Sequence, residues 1–328
     1  MAEVSNNVVK RERTMELGFE TIGNATLICH DCRPVLVTDP WIKGSAYFGS
    51  WALLHAIPDE QMNSIEQCEF VWISHGHPDH LSSESLKVLN KKKILIPDHV
   101  GGLIFKSLKE GGYDVHIIKD GVWTKLSDRI NVLSLCDCNQ DATLLVDING
   151  RLVVNMNDGG ALGWKGFVRK TVKSYPISFY LHLEGVGDAG MLNFFDENGN
   201  RLLRDPALLA APLGPWIARE TEYIGAKFFV PFSSMHKYQR QDSIWIQRYA
   251  TSLSDYERGF DSKSCEILPA FIKYDCIKDK WDRINPQETP LAIRDPQDFG
   301  DNWEEPLDKA DVTTATQYFQ SIFHLKKI

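Results

Sequence analysis

The chain reads as an α/β (α+β) protein built as a sandwich of sheets with helices outside. Three observations predict this. Short β-rich runs bounded by Gly, Pro, Asn and Asp alternate with segments of helical spacing in both halves of the 328 residues. No linker or internal repeat cuts the chain. The composition, 43% hydrophobic and 24% charged, is that of an ordinary globular protein able to bury a large core.

The elements follow in order. Residues 1–14 are polar and charged and read as a flexible leader, with 15–328 as one domain ending in a helical and strand extension. Glu16–Phe19, Ala25–His30 and Val35–Thr38 are strand-like runs broken by Gly23-Asn24 and Arg33-Pro34. Asp39-Pro40-Trp41 and an aromatic loop, Gly44 to Trp51, come next, and the loop walls a pocket or packs on the sandwich. Phe70–Ser74 is a strand, and Ser82 opens a helix over 82–90. Lys93–Pro97 is a strand, and Gly101–Glu110 a helix stopped by Gly111-Gly112. Val115–Ile118, Ile130–Leu135, Ala142–Ile148 and Leu152–Asn155 are strands, the last two joined by the hairpin signal Asn149-Gly150. Further on come strands Ile177–Leu183 and Lys227–Pro231 around a helical stretch 202–224. A helix Asp242–Glu257 capped by Asp242, strands near 265–275 and a final helix 311–325 follow.

Net charge is −8, and the compact basic runs Lys91–Lys93 and Lys326-Lys327 read as solvated ends, so no nucleic-acid partner is expected. No apolar run reaches the roughly 18 residues of a membrane helix, so no membrane partner is expected and a cytoplasmic location follows. Seven cysteines, an odd number, point to reduced thiols, with zinc at Cys29-x-x-Cys32 a minor reading.

The chemistry concentrates after the strand Phe70–Ser74. His75, His77, Asp79 and His80 stand within six residues. Two imidazoles leave a strand end on the same side, and a carboxylate and an imidazole sit at a helix mouth. That layout suits two ions side by side. Such a centre needs about six or seven ligands and a bridging donor. Asp158 lies past the strand Leu152–Asn155, beside Gly159-Gly160, and is suited to bridge; His236 follows the strand ending at Pro231. Asp137 and Asp141 flank the turn after Ile130–Leu135.

Ser74-His75-Gly76-His77-Pro78-Asp79-His80 resembles the HxHxDH signature of the metallo-β-lactamase superfamily, with Asp39, Asp158 and His236 matching its other motif positions in the right order. The resemblance implies an αββα sandwich with a dinuclear metal site at one edge. Ile22-Gly23-Asn24-Ala25-Thr26-Leu27, Thr38-Asp39-Pro40-Trp41, Tyr47-Phe48-Gly49-Ser50-Trp51 and Asn155-Met156-Asn157-Asp158 are similar to the CMP-N-acetylneuraminate hydroxylase-like branch. That branch usually carries a Rieske domain, whose paired Cys-x-His ligands are not visible here, so the resemblance covers the sandwich domain.

The superfamily places a histidine before the bridging aspartate where this chain has Asp137, with Asp141 the other choice. A further carboxylate makes the site oxygen-rich and favours iron or manganese over zinc. The ligand set so implied is His75, His77 and Asp137 for one ion, Asp79, His80 and His236 for the other, with Asp158 bridging. Asp39 would orient a ligand histidine, and Tyr238 would reach the site. Two chemistries stay open. One is a diiron, monooxygenase-like oxidoreductase hydroxylating a small metabolite with an external electron donor. The other is a di-zinc or mixed-metal hydrolase of an ester, lactone, amide or phosphodiester, with a metal-bridging hydroxide as nucleophile and Asp79 orienting it. Gly185-x-Gly187-x-x-Gly190 has the form of a dinucleotide fingerprint but lacks a surrounding βαβ unit and reads as a substrate-facing loop.

Overall fold

A computed structural model describes residues 15–185, 194–195, 198, 200–202, 211–233, 235–300 and 305–325. The leader 1–14, Gly187 and Gly190 of the glycine motif, and 203–210 of the expected 202–224 helix lie outside the described residues.

Two sheets face each other. The first has eight strands in the order β19 (Lys280–Arg283), β18 (Ile272–Asp275), β1 (Leu17–Ile22), β2 (Thr26–Asp31), β3 (Pro34–Thr38), β5 (Phe70–Trp72), β6 (Lys93–Pro97) and β7 (Asp114–Ile118). The second has seven: β17 (Glu266–Ile267), β15 (Phe228–Pro231), β12 (Ile177–His182), β11 (Arg151–Asn157), β10 (Ala142–Ile148), β9 (Ile130–Cys136) and β8 (Thr124–Lys125). A small ladder pairs β16 (His236–Tyr238) with β4 (Trp51–Leu53), and β13 (Phe194–Phe195) pairs with β14 (Arg201–Leu202).

Alternation along the strands sorts side chains into three apolar layers. Leu17, Phe19, Leu27, Cys29, Leu36 and Trp72 meet Val132, Leu144, Val146, Val153, Phe179 and Val230 between the sheets. Ile28, Val37, Val71, Ile94 and Ile96 point the other way, onto Ile65 of α1 (Asp59–Gln67), Leu86 of α2 (Ser83–Val88) and Leu108 of α3 (Leu103–Glu110). Leu145, Leu152, Val154, Tyr180 and Phe229 cover Val168 and Val172 of α4 (Lys165–Val172) and Ile217 and Ile224 of the helix Gly214–Ile224. The result is helices, sheet, sheet, helices: the αββα sandwich. Among the described residues, no helix is long and apolar enough to cross a membrane.

Most predicted elements stand within a few residues of their expected bounds. Ser82 caps α2 by accepting from Ser85 N, and Asn149-Gly150 turns β10 into β11 with both residues left-handed (φ 48° and 83°). The expected helix Asp242–Glu257 is a difference. The structure has a 3-10 turn at Ile244–Tyr249 and a separate short helix, Leu253–Glu257. Ser252 and Asp255 form a capping box that restarts the chain, while the Asp242 carboxylate pairs with Arg240 instead of capping. Cys29 lies in the inter-sheet core while Cys32 is exposed, and all seven cysteines are free thiols.

One buried polar group on β1 carries stability. Glu20 pairs with His30 at 3.1 Å, accepts from Gln61 and lies 3.4 Å from Lys273. Burial alone would raise its pKa, but His30, Lys273 and the Gln61 hydrogen bond together hold it below 4.5. A depressed folded value means the ionised form adds stability above the unfolded pKa, and this is lost as pH falls through the folded one. Glu20→Ala should cost about 3 kcal/mol near neutral pH, because it strands a buried histidine. Denaturant melts at pH 7 and pH 3 should show that difference shrinking in acid.

Candidate metal centre

The carboxyl ends of the parallel strands β3, β5 and β6 lie on the same edge as the ends of β11, β12 and β15. Strand ends are where an α/β sheet leaves its loops free to gather polar side chains. Asp39 follows β3 with φ 40°, and Asn157 ends β11 with φ 52°, so two non-glycine residues hold left-handed backbone where the chain leaves the sheet. A register shift between Asn155 and Asn157 re-aims the next residue, Asp158.

Asp39 is fully buried and organises the first loop. Its carboxylate accepts from Ser74 N at 2.7 Å and Ser74 Oγ at 2.8 Å, and lies 3.1 Å from His80 Nδ1. Ser74 Oγ, having given its proton to Asp39, accepts from His75 Nδ1 at 2.8 Å. Both histidines are thereby held through Nδ1, which turns each Nε2 inward, the tautomer a metal ligand needs. His77 Nδ1 stands 2.7 Å from His75 Nε2.

Asp158 closes the group. One of its oxygens lies 3.7 Å from His75 Nε2 and the other 3.6 Å from His80 Nε2. Asp79 Oδ2 is 3.4 Å from the same His80 nitrogen. The donor atoms of His75, His80 and Asp158 all fall within 4.8 Å of one another. His236 comes from β16 and stacks on Trp51 at 3.4 Å, with its charge acting on Asp79. Tyr238 is fully buried and meets His236 edge-on, 5.4 Å away, on the side of Trp51.

At the third strand the two candidate carboxylates have different surroundings. Asp137 Oδ1 accepts from Asn139 N at 2.9 Å and Asp141 N at 3.2 Å, so its carboxylate ties the turn that leaves β9. Asp141, across that turn, lies 3.7 Å from His75 Nδ1 and beside Gly159. Asp141 thus approaches His75 at the nitrogen that Ser74 also holds, while Asp158 approaches its Nε2.

The electrostatics belong to a site short of cations. His80 is pushed well above the usual histidine value: burial opposes this, but Asp158, Asp79 and Asp39 outweigh it. His75 is pushed down to about 2 by burial and by the charges of His80 and His77. Burial would raise Asp79, yet His80, His236 and the Tyr47 hydroxyl pull it below the usual carboxylate range. Asp141 is pushed up to about 6 by burial and then by Asp158 and Asp137. Among the described residues, His80 Nε2 and Asp158 Oδ1 are buried without a hydrogen-bond partner. Buried lone pairs facing each other across 3.6 Å are unfavourable unless a proton or a cation lies between them, so these residues fit a metal ion.

Three contributors escape a reading of the sequence for ligand types. Asn24 Nδ2 donates to Asp79 Oδ2 at 2.9 Å, Tyr47 OH donates to Asp79 Oδ1 at 3.0 Å, and Ser74 links Asp39 to His75. None is a His, Cys, Asp or Glu, and Asn24 and Tyr47 lie far from Asp79 in sequence. His182 Nδ1 donates to Asn157 O, 2.9 Å away, next to Asp158 in the chain, and His99 is buried next to the Ser74 loop.

Comparison with known proteins agrees with this architecture. No family model matches the chain. It is 26% identical over 313 residues to the cytidine monophosphate-N-acetylneuraminic acid hydroxylase of Danio rerio, covering 86% of this chain and 51% of that protein. It is 29% identical over 170 residues to the inactive human protein of that name, covering 46% of this chain and 34% of that one. The chain spans about half the length of the first of these relatives, or less. In structure it is similar to CmlA, a diiron β-hydroxylase from Streptomyces venezuelae, with a TM-score of 0.51 at 14% identity, over 82% of this chain and 54% of that one. The chain has the αββα, metallo-β-lactamase-like fold, and its sequence is similar to the CMP-N-acetylneuraminic acid hydroxylases.

Proposed function

We propose that the chain is a dinuclear metalloenzyme, a non-heme diiron oxygenase that hydroxylates a small molecule with electrons from an outside donor. The observation that carries the dinuclear reading is Asp158, whose two oxygens face His75 Nε2 and His80 Nε2 separately, at 3.7 and 3.6 Å. A bridging carboxylate has this disposition. His75, His77 and Asp141 form one half of the proposed donor set, and Asp79, His80 and His236 the other. Asp141 supplies an oxygen where the superfamily usually has an imidazole, and oxygen donors favour iron. The similarity to proteins named hydroxylases supports the same chemistry.

When bound, a pair of iron ions would supply the reductive activation of dioxygen. The chain's own part is to hold the donors. Asp39 and Ser74 fix the tautomers of His80 and His75, and Asn24 and Tyr47 hold one oxygen each of Asp79. Exposed Phe48 and Val100, with Leu103 at the start of α3, give an apolar surface suited to the uncharged part of a substrate.

The test is metal analysis of protein made in iron-supplemented and in zinc-supplemented medium, followed by oxygen uptake after chemical reduction. Two irons per chain and substrate-linked oxygen uptake are expected. Stoichiometric zinc that iron does not replace, with no oxygen uptake, would favour the hydrolase reading and sink this one.

A further inference from the structure

Residues 46–51 form a tight aromatic arm over the centre. Ala46 and Trp51 pair as an isolated bridge, and Ser50 N donates to Tyr47 O at 3.0 Å. Tyr47 and Phe48 both hold left-handed backbone, with φ of 50° and 52°. Neither is glycine, asparagine or aspartate, the types that visit this region readily, so the surroundings must impose it. They do so from the segment after β16: Gln239 N donates to Ser50 O, Gln239 Nε2 to Gly49 O and Arg240 Nη1 to Phe48 O, each at 2.9 Å.

The arm delivers two side chains to the donor set. Trp51 lies flat on His236, with ring centroids 3.4 Å apart and planes 8° from parallel. Tyr47 packs on Trp51 at 4.4 Å and sends its hydroxyl to Asp79 Oδ1 at 3.0 Å. Asn24 holds the other Asp79 oxygen from the opposite side at 2.9 Å. A carboxylate gripped at each oxygen from two directions cannot rotate about its Cβ–Cγ bond. One lone pair on each oxygen is then left at a fixed angle, with Oδ2 3.4 Å from His80 Nε2.

We propose that Tyr47 is a positioning residue. Its hydroxyl fixes the carboxylate plane of Asp79 and thereby sets the affinity and geometry of the half-site formed by Asp79, His80 and His236. The left-handed turn at Tyr47 and Phe48 is what brings the phenol there. The inference rests on the dinuclear reading above.

The experiment is titration of the metal-free full chain with Co(II), following visible absorbance and binding heat, for wild type and Tyr47→Phe. Wild type should take up two ions. Y47F should take up the first with unchanged affinity and the second about 10- to 100-fold more weakly, as for loss of an outer-shell partner. The absorbance of the second ion should also shift, which a merely structural ring would not cause, because phenylalanine keeps the packing on Trp51. Circular dichroism checks that the variant is folded, and Tyr47→Leu takes its place if Y47F aggregates. Two unchanged binding steps with an unchanged spectrum in the variant would overturn the role of Tyr47 while leaving the dinuclear reading intact. A wild type that binds fewer than two ions would overturn both.

Discussion

Asp158→Ala is expected to abolish loading of the centre. The variant removes the two oxygens that stand 3.7 Å from His75 Nε2 and 3.6 Å from His80 Nε2, so both halves lose a donor together. Loss of a residue that only hydrogen-bonds a metal ligand typically costs about 10- to 100-fold in metal affinity, and loss of a carboxylate shared by both ions should exceed about 100-fold. Metal analysis after gel filtration should fall from two ions per chain to well under one, and turnover should fall with it. The fold should survive, because Asp158 is half-buried and lies outside the three apolar layers. In the metal-free chain the change removes the largest favourable charge acting on His80, so that histidine should titrate lower in D158A, readable by NMR. A variant that keeps two ions would show that the bridge lies elsewhere.

Asp141→Ala and Asp137→Ala should separate two roles that the sequence leaves together. Asp141 faces His75 at 3.7 Å, whereas Asp137 spends one carboxylate oxygen on the amides of Asn139 and Asp141. D141A should weaken metal binding by about 100-fold with little change in the melting curve, as expected for a donor at the edge of the cluster. D137A should lower stability by about 1–2 kcal/mol through loss of two amide acceptors in the turn, and weaken metal binding less. Equal loss of metal in both variants would return Asp137 to the ligand set. The same pair sets a pH dependence. Asp141 is raised to about 6 in the metal-free chain, and His80 is raised well above its usual value. Both must shed their protons to act as donors, so metal binding releases protons and affinity should fall as pH drops, with Asp141 adding its part near about 6. In D141A that acid-side fall should be shallower, which calorimetry in buffers of different ionisation heat would show.

Most of the strand segments, the turn at Asn149-Gly150, the cap at Ser82 and the donor-rich run from His75 to His80 were legible because each is local. Periodicity, a left-handed turn pair and a cluster of ligand types all act over a few residues. The helix expected over Asp242–Glu257 was not, because helical spacing there competes with a capping box at Ser252 that restarts the chain.

What the sequence determined by itself is the class of fold, the edge of the sheet where the chemistry lies and the residue types that gather there. What only the tertiary structure decided is which groups meet. Asp39 reaches His80 from the end of a neighbouring strand, Tyr47 and Asn24 grip Asp79 from two separate loops, and the turn at Asp137 ties one carboxylate oxygen to the amides of Asn139 and Asp141. Those outcomes depend on contacts between segments far apart in sequence. They are set by sheet register and by the few left-handed residues at Asp39, Tyr47, Phe48 and Asn157, and no local pattern in the chain encodes either.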